Sequence, residues 1–131
     1  MRMRMACLLL MLGVTVAASA QVTAQALHDE WQSYQKFARD DPGMTASDYF
    51  ATGAYMGYVR ACLDSKDTYL YTFTALTGVH PREIWQLPEN ATAKQAFAVV
   101  GKYLDDHPED WSGPASLVVA TALIAAFPPA P

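Results

Sequence analysis

Large apolar residues recur at Leu27, Trp31, Tyr34 and Phe37, with Ala38 beside the last, in steps of four and three. That spacing lines one face of a helix and predicts one from Thr23 to Arg39. Asp40-Asp41-Pro42-Gly43 ends it, because the residue before a proline avoids the helical region and glycine favours a turn. A second helix is predicted from Thr45 or Ser47, where Thr45 and Asp48 stand three apart as in a capping box. Phe50, Ala54, Gly57 or Tyr58, and Ala61 follow at helical spacing. Gly53 and Gly57 lie one turn apart, which predicts a close approach by another helix, within the chain before between chains.

Asp64 to Pro88 is the least legible stretch. Tyr69 to Thr74 favours strand by composition, but its alternation is imperfect. A helix continued through Ala75 and Leu76 to Gly78 fits comparably and is the reading adopted, with a short further turn from Pro81 to Trp85. Thr92 and Gln95 form a second capping box, ahead of an apolar stripe at Phe97, Val100 and Leu104 that continues to Tyr103 and stops at His107-Pro108. Ser112 or Gly113 is expected to cap a last helix with Pro114 in its first turn. From Ala115 to Phe127 that helix is apolar almost all round, which predicts the buried centre of a bundle. The fold class is therefore all-α, a small bundle of four to five helices after an N-terminal signal peptide.

The signal peptide is read from Arg2 and Arg4, the apolar run Ala6 to Ala18, and the small residues Ala18-Ser19-Ala20. The run is too short to span a hydrocarbon core of roughly 30 Å. Residues 1–20 are thus expected to be cleaved and 21–131 to form one exported, periplasmic domain, with Val22-Thr23-Ala24 as an alternative cleavage site. The 131 residues are 52% hydrophobic and 17% charged, one domain's worth of globular material. Loss of Arg2 and Arg4 takes the net charge from −4 to −6, and loss of Cys7 leaves Cys62 alone, with no internal disulfide. An acidic chain is a poor match to phosphates, so nucleic acid is not an expected partner, nor is the membrane after cleavage.

Candidate chemistry is sparse. His28, His80 and His107 fall in separate elements without metal-ligand spacing, and no calcium loop, P-loop, GxGxxG or G-x-S-x-G string occurs, so no metal and no cofactor are read. His28 is placed on the solvated face of the first helix and His107 at a helix end, where a cation meets the negative pole. Cys62, among Val59, Ala61 and Leu63, is read first as a small packed hydrophobe, then as an intermolecular thiol, and last as a nucleophile. Asp105, Asp106, Glu109 and Asp110 cluster after the fourth predicted helix. They read as a solvated turn or as a patch that steers a basic protein partner. Tyr69, Tyr71 and Trp85 read equally as partner anchors or as core fillers, while Phe73 is placed in the core.

Tyr55-Met56-Gly57-Tyr58-Val59 followed by Asp64, then Leu87-Pro88 and Gln95, then Val99 through Glu109, and finally Ala122-Leu123 with Phe127-Pro128, resemble the Rap1a/Tai immunity family. The Lys102-Tyr103-Leu104-Asp105-Asp106-His107-Pro108-Glu109 block is the most specific part. The resemblance implies a small, exported, helical, non-enzymatic protein that binds and blocks a cell-wall amidase effector of type VI secretion, and a homodimer. The chain departs from the pattern in two places. Family members carry a cysteine before the middle-loop V-P and another after the closing F-P, where this chain has Gln86 and Pro129, and Thr68 to Glu83 is longer than the family implies. From the residues themselves, the contact surface is expected in Asp64 to Pro88 with Tyr69, Tyr71 and Trp85 as anchors, and a steering patch at Asp105, Asp106, Glu109 and Asp110. A periplasmic chaperone or envelope-stress binding protein is the alternative, and an enzyme using Cys62 a third.

Overall fold

Four α-helices and one 3-10 turn follow one another along residues 21–80 and 83–131, the part of the chain that the computed structural model describes. The readings on residues 1–20, including Arg2, Arg4 and Cys7, and on Pro81 as the start of a short turn lie outside it. α1 spans Ala24–Ala38, α2 Ala46–Thr77, α3 Ala93–Asp106 and α4 Ala115–Ala126, with the 3-10 turn at Pro108–Asp110. The continued helix across Tyr69 to Leu76 is therefore the form adopted, while Glu83 to Trp85 are not helical.

The helix starts follow from side-chain oxygens that satisfy otherwise orphaned backbone donors. The Thr23 hydroxyl accepts from Ala26 N at 3.2 Å, and both expected capping boxes form, Thr45 with Asp48 and Thr92 with Gln95. The last helix begins one residue later than expected, with Pro114 itself as the cap residue. Three backbone bonds join the two ends of the chain's fold: Ala24 N to Gly113 O, Gln25 N to Trp111 O and Ala115 N to Val22 O, each 2.9 Å. They lock the start of α1 against the start of α4.

The core combines aliphatic residues of all four helices, such as Leu27, Val59, Leu104 and Leu123, with an aromatic cluster between α1, α2 and α3. Trp31 lies 5.4 Å from Tyr34 and 5.5 Å from Tyr55, ring centre to ring centre, and Tyr34 meets the edge of Phe97 at 5.8 Å. Separations of this order are those at which tilted and offset ring pairs attract. The buried Tyr55 hydroxyl donates to Phe97 O at 2.7 Å, so its burial leaves no donor without a partner.

Two expectations about faces are corrected. α2 buries Asp48, Thr52, Tyr55 and Val59, while Phe50 is 81% exposed. Gly53 and Gly57 consequently point outward, with nothing within 4 Å of an added Cβ. The glycine that does permit close approach is Gly101 in α3, where an added Cβ would fall on the indole ring of Trp31. Nor is α4 the buried centre of the bundle. It buries Ala115, Val118, Val119, Ala122 and Leu123 and leaves Leu117 and Ile124 exposed, so it is an outer layer with an apolar outward face.

Asp48 joins α1 to α2. Its carboxylate accepts from Thr45 N at 2.9 Å, from Lys36 Nζ at 2.9 Å, from the Thr45 hydroxyl at 2.8 Å and from the Ser33 hydroxyl at 3.1 Å. The Thr45 backbone bond and then Lys36 hold its carboxyl well below the usual carboxylate range. Since folding favours the ionised form, the resulting stability is complete above the unfolded-state value of about 4 and is lost as the pH falls towards the lower folded value. Asp48→Asn is accordingly expected to melt below the parent at pH 7, with the gap narrowing as the pH is taken below about 4. A gap that stayed constant over a series of melting curves down that range would refute this.

Candidate functional site

Beyond the core the chain builds a projecting arm. From Ser65 to Gly78 no residue is buried, yet the helix persists to Thr77, where Gly78 adopts the left-handed conformation at φ 70° and donates to Thr74 O at 2.9 Å. A glycine in that conformation closes the helix without the penalty a Cβ would incur. Tyr69, Tyr71 and Leu76 stand out from the arm, Tyr71 at 77% and Leu76 at 81% exposure, and Val79 and Ile84 extend the apolar surface into the loop beyond. Phe73 is only half-buried and packs its ring 6.0 Å from Tyr69, outside the core in which it was expected.

At the base of the arm a groove of about 580 Å³ runs between α2 and the segment Glu83 to Leu87. Lys66 closes it. Its side chain is only 12% exposed, and its ammonium donates to Trp85 O at 3.1 Å while lying 3.9 Å from both Asp67 and Glu83. The Trp85 ring itself packs in the core, where the residue is 5% exposed. Trp85 therefore offers no free ring to a partner and instead holds the loop to the bundle. Opposite it, Gln86 N donates to Phe127 O at 3.0 Å, and Ala130 N donates to the Gln86 side-chain oxygen at 3.3 Å. The middle loop and the C-terminal tail thus meet at Gln86, through hydrogen bonds alone.

The four carboxylates after α3 do not act as one patch. Asp105 faces α1, accepting from the Trp31 indole at 2.9 Å and meeting His28 Nε2 at 3.1 Å. Asp106 pairs with Lys102 at 2.6 Å, Glu109 meets His107 at 2.9 Å and Asp110 accepts from the Tyr103 hydroxyl at 3.0 Å. The His107 contact holds the Glu109 carboxyl below its usual range. His28, expected in solvent, instead stacks on Trp111 at 4.1 Å, and its Nδ1 is buried without a hydrogen-bond partner. Its position three residues before Trp31 on the same helix face was the available signal. His107 stands at the end of α3, where its backbone N–H donates to Tyr103 O, and its ring stacks on Tyr103 at 4.1 Å.

The structure therefore separates the sequence-derived surface into two parts. Thr92 and Ala93, at the start of α3, line the arm's groove, and Asp105 and Asp106 end the same helix of 14 residues. At 1.5 Å per residue that places the arm's base and the acidic turn roughly 20 Å apart. Tyr69 and Tyr71 remain available as anchors. Asp106 and Glu109 remain exposed, Asp110 is half-buried against Tyr103, and Asp105, though exposed, is committed to α1.

Cys62 is half-buried, and burial pushes its thiol up, which disfavours the thiolate that nucleophilic attack needs. Among the described residues, no group of three or more His, Cys, Asp and Glu side chains is placed to hold a metal ion, and no helix is long and apolar enough to cross a membrane.

A family model described as Rap1a immunity proteins matches residues 23–129. Neither the curated proteins nor the solved structures include a significant match.

Proposed function

The chain belongs to the Rap1a immunity protein family and is an immunity-type protein, and from that premise we propose that it is exported to the periplasm, its signal peptide cleaved, and there blocks a cell-wall amidase effector of type VI secretion. Its action is stoichiometric binding that occludes the enzyme's cleft, without catalysis of its own. One observation supports the arm as the contact surface: Tyr69, Tyr71 and Leu76 stand exposed on a helix that continues past the last core residue of α2, Val59. Aromatic and apolar groups held on a rigid element lose little entropy when a partner covers them, so they make efficient anchors.

The test is titration calorimetry of the purified protein against amidases encoded beside its gene. The double variant Tyr71→Ser/Leu76→Ser is expected to weaken binding by about 30-fold or more, the loss of one strong anchor. Its melting temperature should stay near the parent's, because both side chains are exposed. Light scattering on the same samples reads whether the working form is the homodimer that this reading includes. Absence of binding to any such amidase would overturn the effector assignment, and parental affinity in the double variant would overturn the arm.

A further inference from the structure

We propose that the groove between α3 and α4 is a second docking surface, and that its occupant is a short cationic amphipathic helix of a protein partner. It stands independently of the arm and of the effector assignment. α3 and α4 pack side by side, and two hollows of about 370 and 270 Å³ run along their outer seam and meet at Tyr103. Leu117, Val118 and Thr121 floor the first, and Ala122 and Ala125 the second.

The apolar floor comes from a helix without a single charged side chain over its 12 residues. Leu117 is 63% exposed in the first hollow, and Ala125, about two turns further along the helix, is exposed in the second. At 1.5 Å per residue the seam is roughly 18 Å long, room for about three turns of a partner helix. Helix-in-groove recognition needs such a strip, apolar at the bottom and polar at the edges.

The rim sets the partner's charge. Glu109 and Asp110 line the first hollow, which no Lys or Arg lines, while in the second Lys102 offsets Asp106, so the negative edge lies at the first. The Tyr103 hydroxyl, the donor to Asp110, is neutral and leaves the full negative charge in place. A helix with leucine-like residues on one face and lysine or arginine along its flanks matches both features. An acidic helix would meet like charge along the edge, which costs affinity and slows encounter.

The experiment uses the purified protein and a fluorescein-labelled leucine–lysine amphipathic peptide, with a leucine–glutamate peptide of the same pattern as its counterpart. Anisotropy titration is expected to show binding of the lysine peptide alone, weakening as salt is raised. Leu117→Ser/Ala125→Ser should reduce that affinity about tenfold or more, and Glu109→Lys should both weaken it and flatten its salt dependence. Tyr71→Ser/Leu76→Ser, on the arm, should leave it unchanged. The proposal is overturned if the two peptides bind alike, if neither binds, if the α4 variant binds as the parent does while its melting curve shows it folded, or if the arm variant is the one that loses the peptide. Since the arm variant carries the test of the effector reading, the two proposals fail separately.

Discussion

Gly101→Val is expected to destabilise the bundle by roughly 3 kcal/mol, because the first side-chain atom of any larger residue falls on the Trp31 ring. The ring has no room to withdraw. Its indole nitrogen donates to Asp105 at 2.9 Å, and Tyr34 and Tyr55 flank it at 5.4 and 5.5 Å. For a domain of this size the melting temperature should fall by about 10–20 °C. Gly53→Ala and Gly57→Ala should do the reverse, each gaining about 0.5–1 kcal/mol, since both positions face open space on a helix and alanine is the better helix former. A thermal melt of the three variants checks the opposite signs. Repeating Gly101→Val in a Trp31→Leu background separates causes: strong non-additivity is the expected result, and simple additivity would show that the ring is not what the new side chain meets.

Joining Gln86 and Pro129 covalently should produce the largest gain. The family pattern has cysteines at the matching positions, and the structure brings these two segments together: Gln86 bonds Phe127 O at 3.0 Å and accepts from Ala130 N at 3.3 Å. Gln86→Cys/Pro129→Cys, made with Cys62→Ser to prevent mispairing, is expected to oxidise spontaneously. The bond closes a loop of about 43 residues, worth roughly 4 kcal/mol on the chain-entropy account. Reductant should return its melting temperature to near that of the reduced variant, whereas the parent, whose Cys62 is free, should not respond to reductant. Failure to form the bond in oxidising buffer, by mass, would mean that the loop and the tail do not meet as described.

Helix positions were legible from the chain because their causes are local. Thr45 with Asp48 and Thr92 with Gln95 satisfy backbone donors three residues away, and Gly78 and Pro128 stop helices by their own backbone preferences, whereas α1 ends at Ala38, ahead of Pro42-Gly43, with Asp40 in the left-handed region at φ 54°. Faces were less legible. α2 carries large apolar side chains nearly all round, at Tyr49, Phe50, Tyr55, Met56, Tyr58 and Val59, so spacing alone admits more than one inward direction. The face bearing Thr52, Tyr55 and Val59 goes inside because α1 brings Trp31 and Tyr34 to it. α4 has the same ambiguity in stronger form, since an all-apolar helix has no polar side from which to infer what it exposes.

The candidate surface divides along the same line. Tyr69 and Tyr71 could be named from the chain, because an aromatic-rich stretch between turn signals is visible in it. Trp85 is inside because its segment lies against the bundle, its carbonyl held by Lys66 from 19 residues away, while Tyr69 and Tyr71 sit where α2 has run past the core. Among four neighbouring carboxylates, Asp105 alone turns towards α1, because α1 brings Trp31 and His28 to meet it from more than 70 residues away. The sequence by itself determined where the four helices lie to within a residue or two, the all-α class and the family, since these rest on contacts a few residues apart or on ordered motifs. Only the tertiary structure decided which face, glycine, tryptophan and carboxylate each do what they do, because burial and pairing depend on neighbours supplied by distant segments.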